Sequence, residues 1–359
     1  MPGTTTIRFF PNRSARCRLC VVLVALVLLA ACRQKKVSRT IEPAFYYWKT
    51  NLAISPFEQG RMDSLHIKTI YLRFFDIDWD ENSRSPVPVA KLTVTGNPFG
   101  NHTAIIPTVF ITNECIRRIG DSQITGLANR IYTLTQDMLN SYGFNQVSEI
   151  QFDCDWTAAT KETYFELLRK TRALWKNTAI PLSATIRLHQ VKFLTRTGVP
   201  PVDKGLLMCY NMGNLTDPST RNSILETAEL KKYTGNLSTY PLPLDLALPL
   251  FDWKVLFRNN QYKGLMHDLP DSLLTAPLAK RTSNRFAILT DTVIGGYALQ
   301  KGDWLRSEQS DIAGILAAAK VISEQWQNTR PRVSLYHLDS VILSKYSLHE
   351  LESIFLNLR

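Results

Sequence analysis

The sequence predicts a parallel (β/α)8 barrel of the TIM type with an α+β insertion after the seventh strand, and three observations support this fold class. Strand-like and helix-like segments alternate from residue 41 onward, as in chains of parallel β/α units. Such a barrel typically needs about 250 residues, and residues 41–359 provide room for one barrel with additions. The largest surplus, at about 253–310, holds β-rich pieces and predicts the insertion.

The barrel elements follow one another along the chain. Helices are predicted at 57–66, 122–142, 160–175 and 348–358, with a further one beginning near Asp311. The helix at 122–142 has apolar residues at helical spacing, and the one at 160–175 is amphipathic. The predicted strands are 44–48, 69–78, 104–111, a fourth within 147–157, 182–188, 205–210, 245–250 and 331–338.

The N-terminus predicts export and lipidation. Residues 1–31 contain four arginines and no acid, and an apolar run at 21–31 closes on the sequence Leu-Ala-Ala-Cys that ends at Cys32. This run is about half the ~20 residues of a spanning helix, so a retained membrane anchor is the weaker alternative to a signal peptide. We expect lipid on Cys32 and a tether at 32–40, which place the protein in the cell envelope. Because Arg33 follows the cysteine, the expected site is the outer membrane, facing the periplasm.

Composition argues against several classes of function. Loss of residues 1–31 would lower the formal charge from +11 to +7, and the remaining basic residues form no dense stripe, so no nucleic-acid binding is expected. The cysteines of the body, Cys115, Cys154 and Cys209, form no C-x-x-C motif and are odd in number. Neither a metal site nor a disulfide framework is indicated, and we expect no cofactor.

The fourth strand-like segment carries the most informative polar pattern. Side chains alternate between the faces of a strand, so its polar residues point one way and its apolar residues the other. In a parallel barrel the polar face looks into the mouth, where such folds carry their chemistry. The polar set is Gln151, Asp153, Asp155 and Thr157, and the apolar set is Ile150, Phe152, Cys154 and Trp156.

Neighbouring strands supply further candidate residues. Arg187, on the polar face of strand five, would keep the carboxylates ionised and clamp a substrate oxygen, or form a structural ion pair with Asp153 or Asp155. Glu114 follows strand three and is a candidate acid facing Asp155, although parity leaves its direction open. Two further candidate contacts, Trp48 and His337, lie near the ends of strands one and eight, and a core role is the alternative for the tryptophan.

Two segments resemble the chitinase-type (family 18) glycoside hydrolases. The stretch D-C-D-W-T at 153–157 is similar to the end of their strand-four signature D-x-x-D-x-D-x-E, with Asp153 and Asp155 at the two later Asp positions. Thr157 stands where that family has its proton-donating Glu, and Ile150 stands at its first Asp. The stretch 151–155 also resembles a Q-x-D-x-D strand in uncharacterised bacterial barrel proteins related to glycosidases.

The second segment, M-C-Y-N-M-G at 208–213, is similar to the family's strand-six M-x-Y-D/N motif. The resemblance implies that Tyr210 and Asn211 approach a sugar, while a Tyr capping the core remains the alternative.

Together with the lipid expected on Cys32, the resemblance implies a lipid-anchored glycosidase-like barrel that binds or hydrolyses envelope or scavenged glycans. Its expected catalytic residues are Asp153, Asp155 and Glu114, because two adjacent carboxylates raise one pKa and can supply a proton donor. Gln151, Arg187, Tyr210, Asn211, Trp48 and His337 are the expected substrate contacts. The competing hypothesis is a non-catalytic glycan-binding or envelope-assembly lipoprotein that has lost the acid, which Thr157 favours.

Overall fold

The computed structural model describes residues 3, 38–96, 99 and 103–359, so all but one residue of the predicted signal peptide and most of the tether lie outside the described residues. Residues 39–359 form one compact unit with its own hydrophobic core. Among the described residues, no helix has the length and apolarity needed to cross a bilayer.

Eight parallel strands close into a barrel, which confirms the predicted fold class. The first strand pairs with both the second and the eighth, so the parallel sheet has no open edge within the barrel. The strands are β1 (Glu42–Tyr47), β2 (Thr69–Asp80), β3 (Ala104–Ile111), β4 (Ile150–Asp153), β5 (Leu182–Arg187), β6 (Lys204–Met208), β7 (Leu244–Pro249) and β8 (Arg332–Tyr336).

Helices cover the barrel, and several begin at side-chain caps that the sequence contains. Ser55 and Glu58 form a reciprocal capping box at the first helix, and Ser347 and Glu350 form another at the last. The helices are α1 (Pro56–Ser64), α2 (Asn113–Arg118), α3 (Asp121–Tyr142), α4 (Lys161–Trp175), α5 (Leu188–Lys192), α6 (Leu194–Thr197), α7 (Thr227–Lys231), α8 (Ile312–Gln325), α9 (Ser340–Leu343) and α10 (Leu348–Asn357), with 3-10 turns at Thr234–Thr239 and Asp271–Leu273.

The insertion follows β7, as predicted, and is mainly β structure. Five of its strands form an antiparallel sheet with a separate small core, to which Phe286 and Leu305 belong. Its strands are Asp252–Arg258, Gln261–Met266, Ala279–Thr282, Arg285–Ile288 and Trp304–Gln309, together with the hairpin of Thr292–Ile294 and Tyr297–Leu299.

The segment that follows β2 is partly a hairpin. Ser85–Val89 pairs antiparallel with β2, and Asn51–Leu52 pairs with Thr93–Val94.

Two strands end earlier than the sequence predicts. The fourth ends at Asp153 and the sixth at Met208, so Asp155, Tyr210 and Asn211 lie on the loops that follow. The predicted alternation of faces nevertheless holds around the fourth strand. Gln151 points into the barrel, where it meets Tyr46, whereas Trp156 packs outward against Tyr164 of α4 with ring centroids 5.3 Å apart.

Candidate functional site

A cleft of about 750 Å³ opens at the carboxyl ends of the barrel strands. Every barrel strand supplies a lining residue, either within the strand or directly after it: Trp48, Arg73, Phe110, Asp153, Arg187, Met208, Phe251 and Tyr336. The carboxyl end of the strands is also where barrels of this type hold their binding and catalytic residues. We therefore treat this cleft as the candidate site.

Asp153 lies at the bottom of the cleft and is almost entirely buried, with 6% of its surface exposed. The hydroxyl of Thr185 donates a hydrogen bond to its Oδ1 at 2.6 Å. Burial, followed by the negative charge of Asp155, raises the pKa of Asp153 to about 6. A carboxyl group with that pKa exchanges its proton near neutral pH, which is the property required of a general acid or base.

Asp155 lies above Asp153, and its side chain is held by a guanidinium fork. Nε and Nη2 of Arg187 donate to its two carboxylate oxygens at 2.5 and 2.8 Å. Burial opposes the charge of Arg187, but the hydrogen bond and charge of Asp155 raise the pKa of the guanidinium above its usual value. The ion pair predicted as one alternative for Arg187 is thus formed with Asp155. Asp155 keeps 48% of its side chain exposed and can still accept hydrogen bonds from a ligand.

Gln151 is fully buried below Asp153, so its predicted contact with substrate is wrong. Its amide oxygen accepts hydrogen bonds from Tyr46 at 2.5 Å and Thr108 at 3.3 Å, and its amide nitrogen donates to Ser183 at 3.5 Å. Residues two apart on one strand face are separated by about 6.6 Å along the strand, which places Gln151 one layer beneath the cleft floor.

Aromatic side chains form much of the cleft wall. The ring of Tyr336 lies 5.4 Å from that of Tyr210, 5.8 Å from that of Phe251 and 5.9 Å from that of Trp48. Asn211 also lines the cleft and has a left-handed backbone with φ of 54°. Such a wall offers flat apolar faces with polar groups between them, which suits the faces and hydroxyls of sugars.

Tyr210 has an unusual polar environment. Its hydroxyl is buried and has no hydrogen-bond partner among the described residues. Burial raises the pKa of this phenol well above its usual value, so the hydroxyl stays protonated. A buried hydroxyl without a partner is costly, and a ligand that reached it would relieve that cost.

The insertion forms one side of the cleft, which its sequence did not predict. Trp253 and His267 line it, and the indole N–H of Trp253 is fixed by a hydrogen bond to Glu308 at 2.7 Å. Across the rim, the Lys345 ammonium binds Asp252 at 2.5 Å. The sequence signal for this side of the cleft was Trp253, shortly after strand seven. The positions of the other insertion residues depend on the tertiary fold of the insertion.

Arg73 also lines the cleft, although it was not among the predicted site residues. Its guanidinium binds the carboxylate of Asp76, with Nε at 2.8 Å from Oδ1, and lies 5.4 Å from the ring centre of Trp48. It therefore packs against one aromatic ring of the cleft wall. An arginine in the middle of a predicted barrel strand was the signal that pointed to it.

Glu114 does not reach the cleft, so its predicted position opposite Asp155 is wrong. Strand β3 ends at Ile111, and the Thr112 side chain caps the start of α2, which carries Glu114 in its first turn. There its exposed carboxylate pairs with Arg117 and Arg118, whose hydrogen bonds lower its pKa.

Thr157 also lies outside the cleft lining. Its hydroxyl is 3.3 Å from that of Thr160, and its backbone N–H donates to the same Thr160 oxygen at 2.9 Å. The predicted residues Trp48 and His337 do line the cleft. Burial lowers the pKa of His337, whose Nδ1 has no partner in the described part of the chain. No cluster of three or more His, Cys, Asp or Glu side chains in residues 38–96 and 103–359 is arranged to hold a metal ion.

Comparisons with known proteins identify the architecture. No protein-family model and no curated protein matches the sequence. The spore cortex-lytic enzyme SleL of Bacillus cereus is 14% identical over 89% of this chain and 75% of its own, with a TM-score of 0.53. A chitinase of Chromobacterium violaceum is 10% identical over 89% of this chain and all of its own, with a TM-score of 0.54. The family 18 chitinase ChiB of Flavobacterium johnsoniae is 12% identical over 89% and 96%, with a TM-score of 0.51. The chain thus has, at a distance, the barrel fold of the chitinase-type glycoside hydrolases.

Proposed function

We propose that this protein is a glycan-binding barrel of the cell envelope that holds an oligosaccharide in the cleft above Asp153. The observation that carries the proposal is the joining of an aromatic wall to a carboxylate pair in one cleft. Aromatic faces bind the apolar faces of sugar rings, and carboxylate oxygens accept hydrogen bonds from their hydroxyl groups. This combination also gives orientation to a ligand that is largely polar.

Oligosaccharides of N-acetylglucosamine are the first ligands to test. Several proteins with this fold are chitinases, and a Cycas revoluta chitinase with a TM-score of 0.50 and 11% identity was solved in complex with (GlcNAc)4. SleL, which acts on the spore cortex, shares the same barrel. At these identities the likeness supports the choice of ligand only as an analogy between folds.

The hydrogen bonds of Asp155 and the identity of residue 157 favour binding over hydrolysis. Cleavage of a glycosidic bond requires a proton donor beside the leaving oxygen. Arg187 donates hydrogen bonds to both carboxyl oxygens of Asp155, and Thr157 offers no acid. Hydrolysis remains the second candidate because the pKa of Asp153, at about 6, lets the carboxyl group at the cleft floor exchange a proton near neutral pH.

Titration of (GlcNAc)4 against the protein, followed by calorimetry and by product release, tests both candidates. Trp48→Ala should weaken binding about tenfold, since a stacked aromatic ring contributes ~1.4 kcal/mol. Trp304→Ala is the matched control, because that tryptophan stacks on Phe257 in the insertion and does not line the cleft. Oligosaccharides of glucose and mannose test the choice of sugar. Absence of binding to all three series would overturn the proposal.

The same proposal includes attachment to a membrane through lipid on Cys32, with the outer membrane as the expected destination. It is supported by the apolar run that ends in Leu-Ala-Ala-Cys and by Arg33 after it. An alkyne fatty acid fed to cells should label the protein, and Cys32→Ala should abolish the label. Labelling that persists in Cys32→Ala would refute lipidation there, and density-gradient fractionation would identify the membrane.

A further inference from the structure

The end of the barrel opposite the candidate site carries a second cleft, of about 720 Å³. It lies at the amino ends of β8, β1 and β2, which are neighbours in the sheet. Its apolar floor includes Leu65, Phe355 and Leu356, and Leu356 is 52% exposed. We call this surface the basal groove.

Cations surround the basal groove. Lys68, Arg330 and Arg359 are exposed along it, and within the described chain none of the three has a carboxylate partner. Two carboxylates also line it. Glu42 pairs with the Nε of Arg332 at 3.0 Å, an arginine that Glu42 shares with Glu149, so three exposed cations face the two carboxylates Glu42 and Glu352. The side chains that line the groove therefore combine apolar surface with an excess of one positive charge.

The chain enters the barrel at this same end and is firmly held there. Arg39 is buried, and its guanidinium donates to the carbonyl of Ser323 at 2.8 Å and to that of Trp326 at 2.5 Å. Those carbonyls belong to the end of α8, so the arginine satisfies acceptors that a helix terminus leaves free. Its guanidinium carbon also lies 5.2 Å from the ring centre of Trp326.

Only six residues, 33–38, separate Cys32 from this fixed point, and three of them are Arg33, Lys35 and Lys36. A fully extended chain across that interval spans at most ~25 Å. Helix α3 alone, with 22 residues, is ~33 Å long. A lipid on Cys32 would therefore keep the basal end of the barrel near the bilayer and leave no reach for the opposite end.

We propose that the basal groove is a docking surface for the anionic lipid headgroups of a membrane, with Lys68 and Arg330 as the principal contacts. The phosphates pair with the exposed cations, and Leu356 contacts the interfacial region. The candidate site then faces away from the membrane, open to soluble or wall-bound ligands. The argument from tether length rests on the proposed lipidation of Cys32, whereas the argument from charge does not.

The test uses a chain that begins at residue 32 with Cys32→Ser, which cannot be lipidated and contains the whole compact unit of residues 39–359. It should float with vesicles of phosphatidylglycerol and phosphatidylcholine and not with phosphatidylcholine alone, and added salt should weaken the association. Lys68→Glu with Arg330→Glu should weaken it by at least ~25-fold, since each surface cation contributes about fivefold. Lys263→Glu with Lys280→Glu makes the same charge change on the insertion and is the matched control.

A second measurement reports orientation. Cys115, Cys154 and Cys209 are buried, so a dye can be placed selectively on Ser64→Cys in the basal groove or on Val341→Cys at the site cleft. A quencher carried by the lipid should quench the dye at 64 and spare the dye at 341. Equal quenching at both positions, equal losses from both charge pairs, or no association with anionic vesicles would overturn the proposal. Titration of the same variants with (GlcNAc)4 keeps this outcome separate from that of the proposed function.

Discussion

Asp153→Asn should stabilise this protein at neutral pH. Burial raises the pKa of the Asp153 carboxyl group in the folded state, so its negative charge at neutral pH lowers the free energy of unfolding. The pKa of Asp153 is raised from 3.8 to about 6, first by burial and then by the charge of Asp155. A raised pKa means that the contribution of the group to stability is present in full below pH 3.8 and is lost as the pH rises through about 6. The difference between those two pKa values lowers the free energy of unfolding by ~3 kcal/mol at pH 7.5 and by ~1 kcal/mol at pH 4.5.

Asparagine has nearly the same shape and keeps an acceptor for the Thr185 hydroxyl, so the substitution removes the charge and little else. We therefore expect the variant to be more stable than the parent protein by ~3 kcal/mol at pH 7.5 and by ~1 kcal/mol at pH 4.5. Urea unfolding of both proteins at the two pH values measures this difference.

Asp268→Asn is the matched control for this prediction. Asp268 is an exposed cleft residue without an ion pair in the described chain, and its left-handed backbone suits asparagine. The control should change stability equally at both pH values. A gain in the Asp153→Asn variant that does not grow between pH 4.5 and 7.5, or a loss at pH 7.5, would contradict the assigned environment of Asp153.

Two further predictions concern residues around the cleft. Tyr210→Phe removes a buried hydroxyl without a partner in the described chain, so urea unfolding should show unchanged stability or a gain of up to ~1 kcal/mol. The affinity for (GlcNAc)4 should fall three- to tenfold. A loss of stability above ~2 kcal/mol would reveal a partner for that hydroxyl. Thr157→Glu should not create hydrolysis, because position 157 lies outside the cleft lining; product release raised ~100-fold or more, the scale of a general acid, would show that the acid position of the chitinase-type family does correspond to residue 157.

Much of the fold was accessible from the sequence because its signals are local. Strand β3 was predicted at its observed bounds, and the long helix α3 within one residue at its start. Alternation along one strand also predicted that Gln151 and Asp153 point into the barrel and that Trp156 packs outward. Periodicity of this kind depends only on neighbours along the chain.

The wrong predictions concern how deep a residue lies in the barrel and where a strand ends. Parity placed Gln151 on the inner face but could not show that it lies below the cleft floor, because depth depends on the register between paired strands. The end of β3 decided the position of Glu114. Once Thr112 caps a helix, the residues after it leave the barrel mouth.

The sequence by itself determined the barrel, the position of the insertion along the chain and the polar inner face of the fourth strand, since each follows from local spacing. Only the tertiary structure decided that Arg187 donates two hydrogen bonds to Asp155 and that Asp153 is buried with a raised pKa. It also decided that rings from β1, β8 and the insertion share one wall. These groups are far apart in the chain, and their meeting depends on the closure of the sheet and the path of the insertion, which no local pattern records.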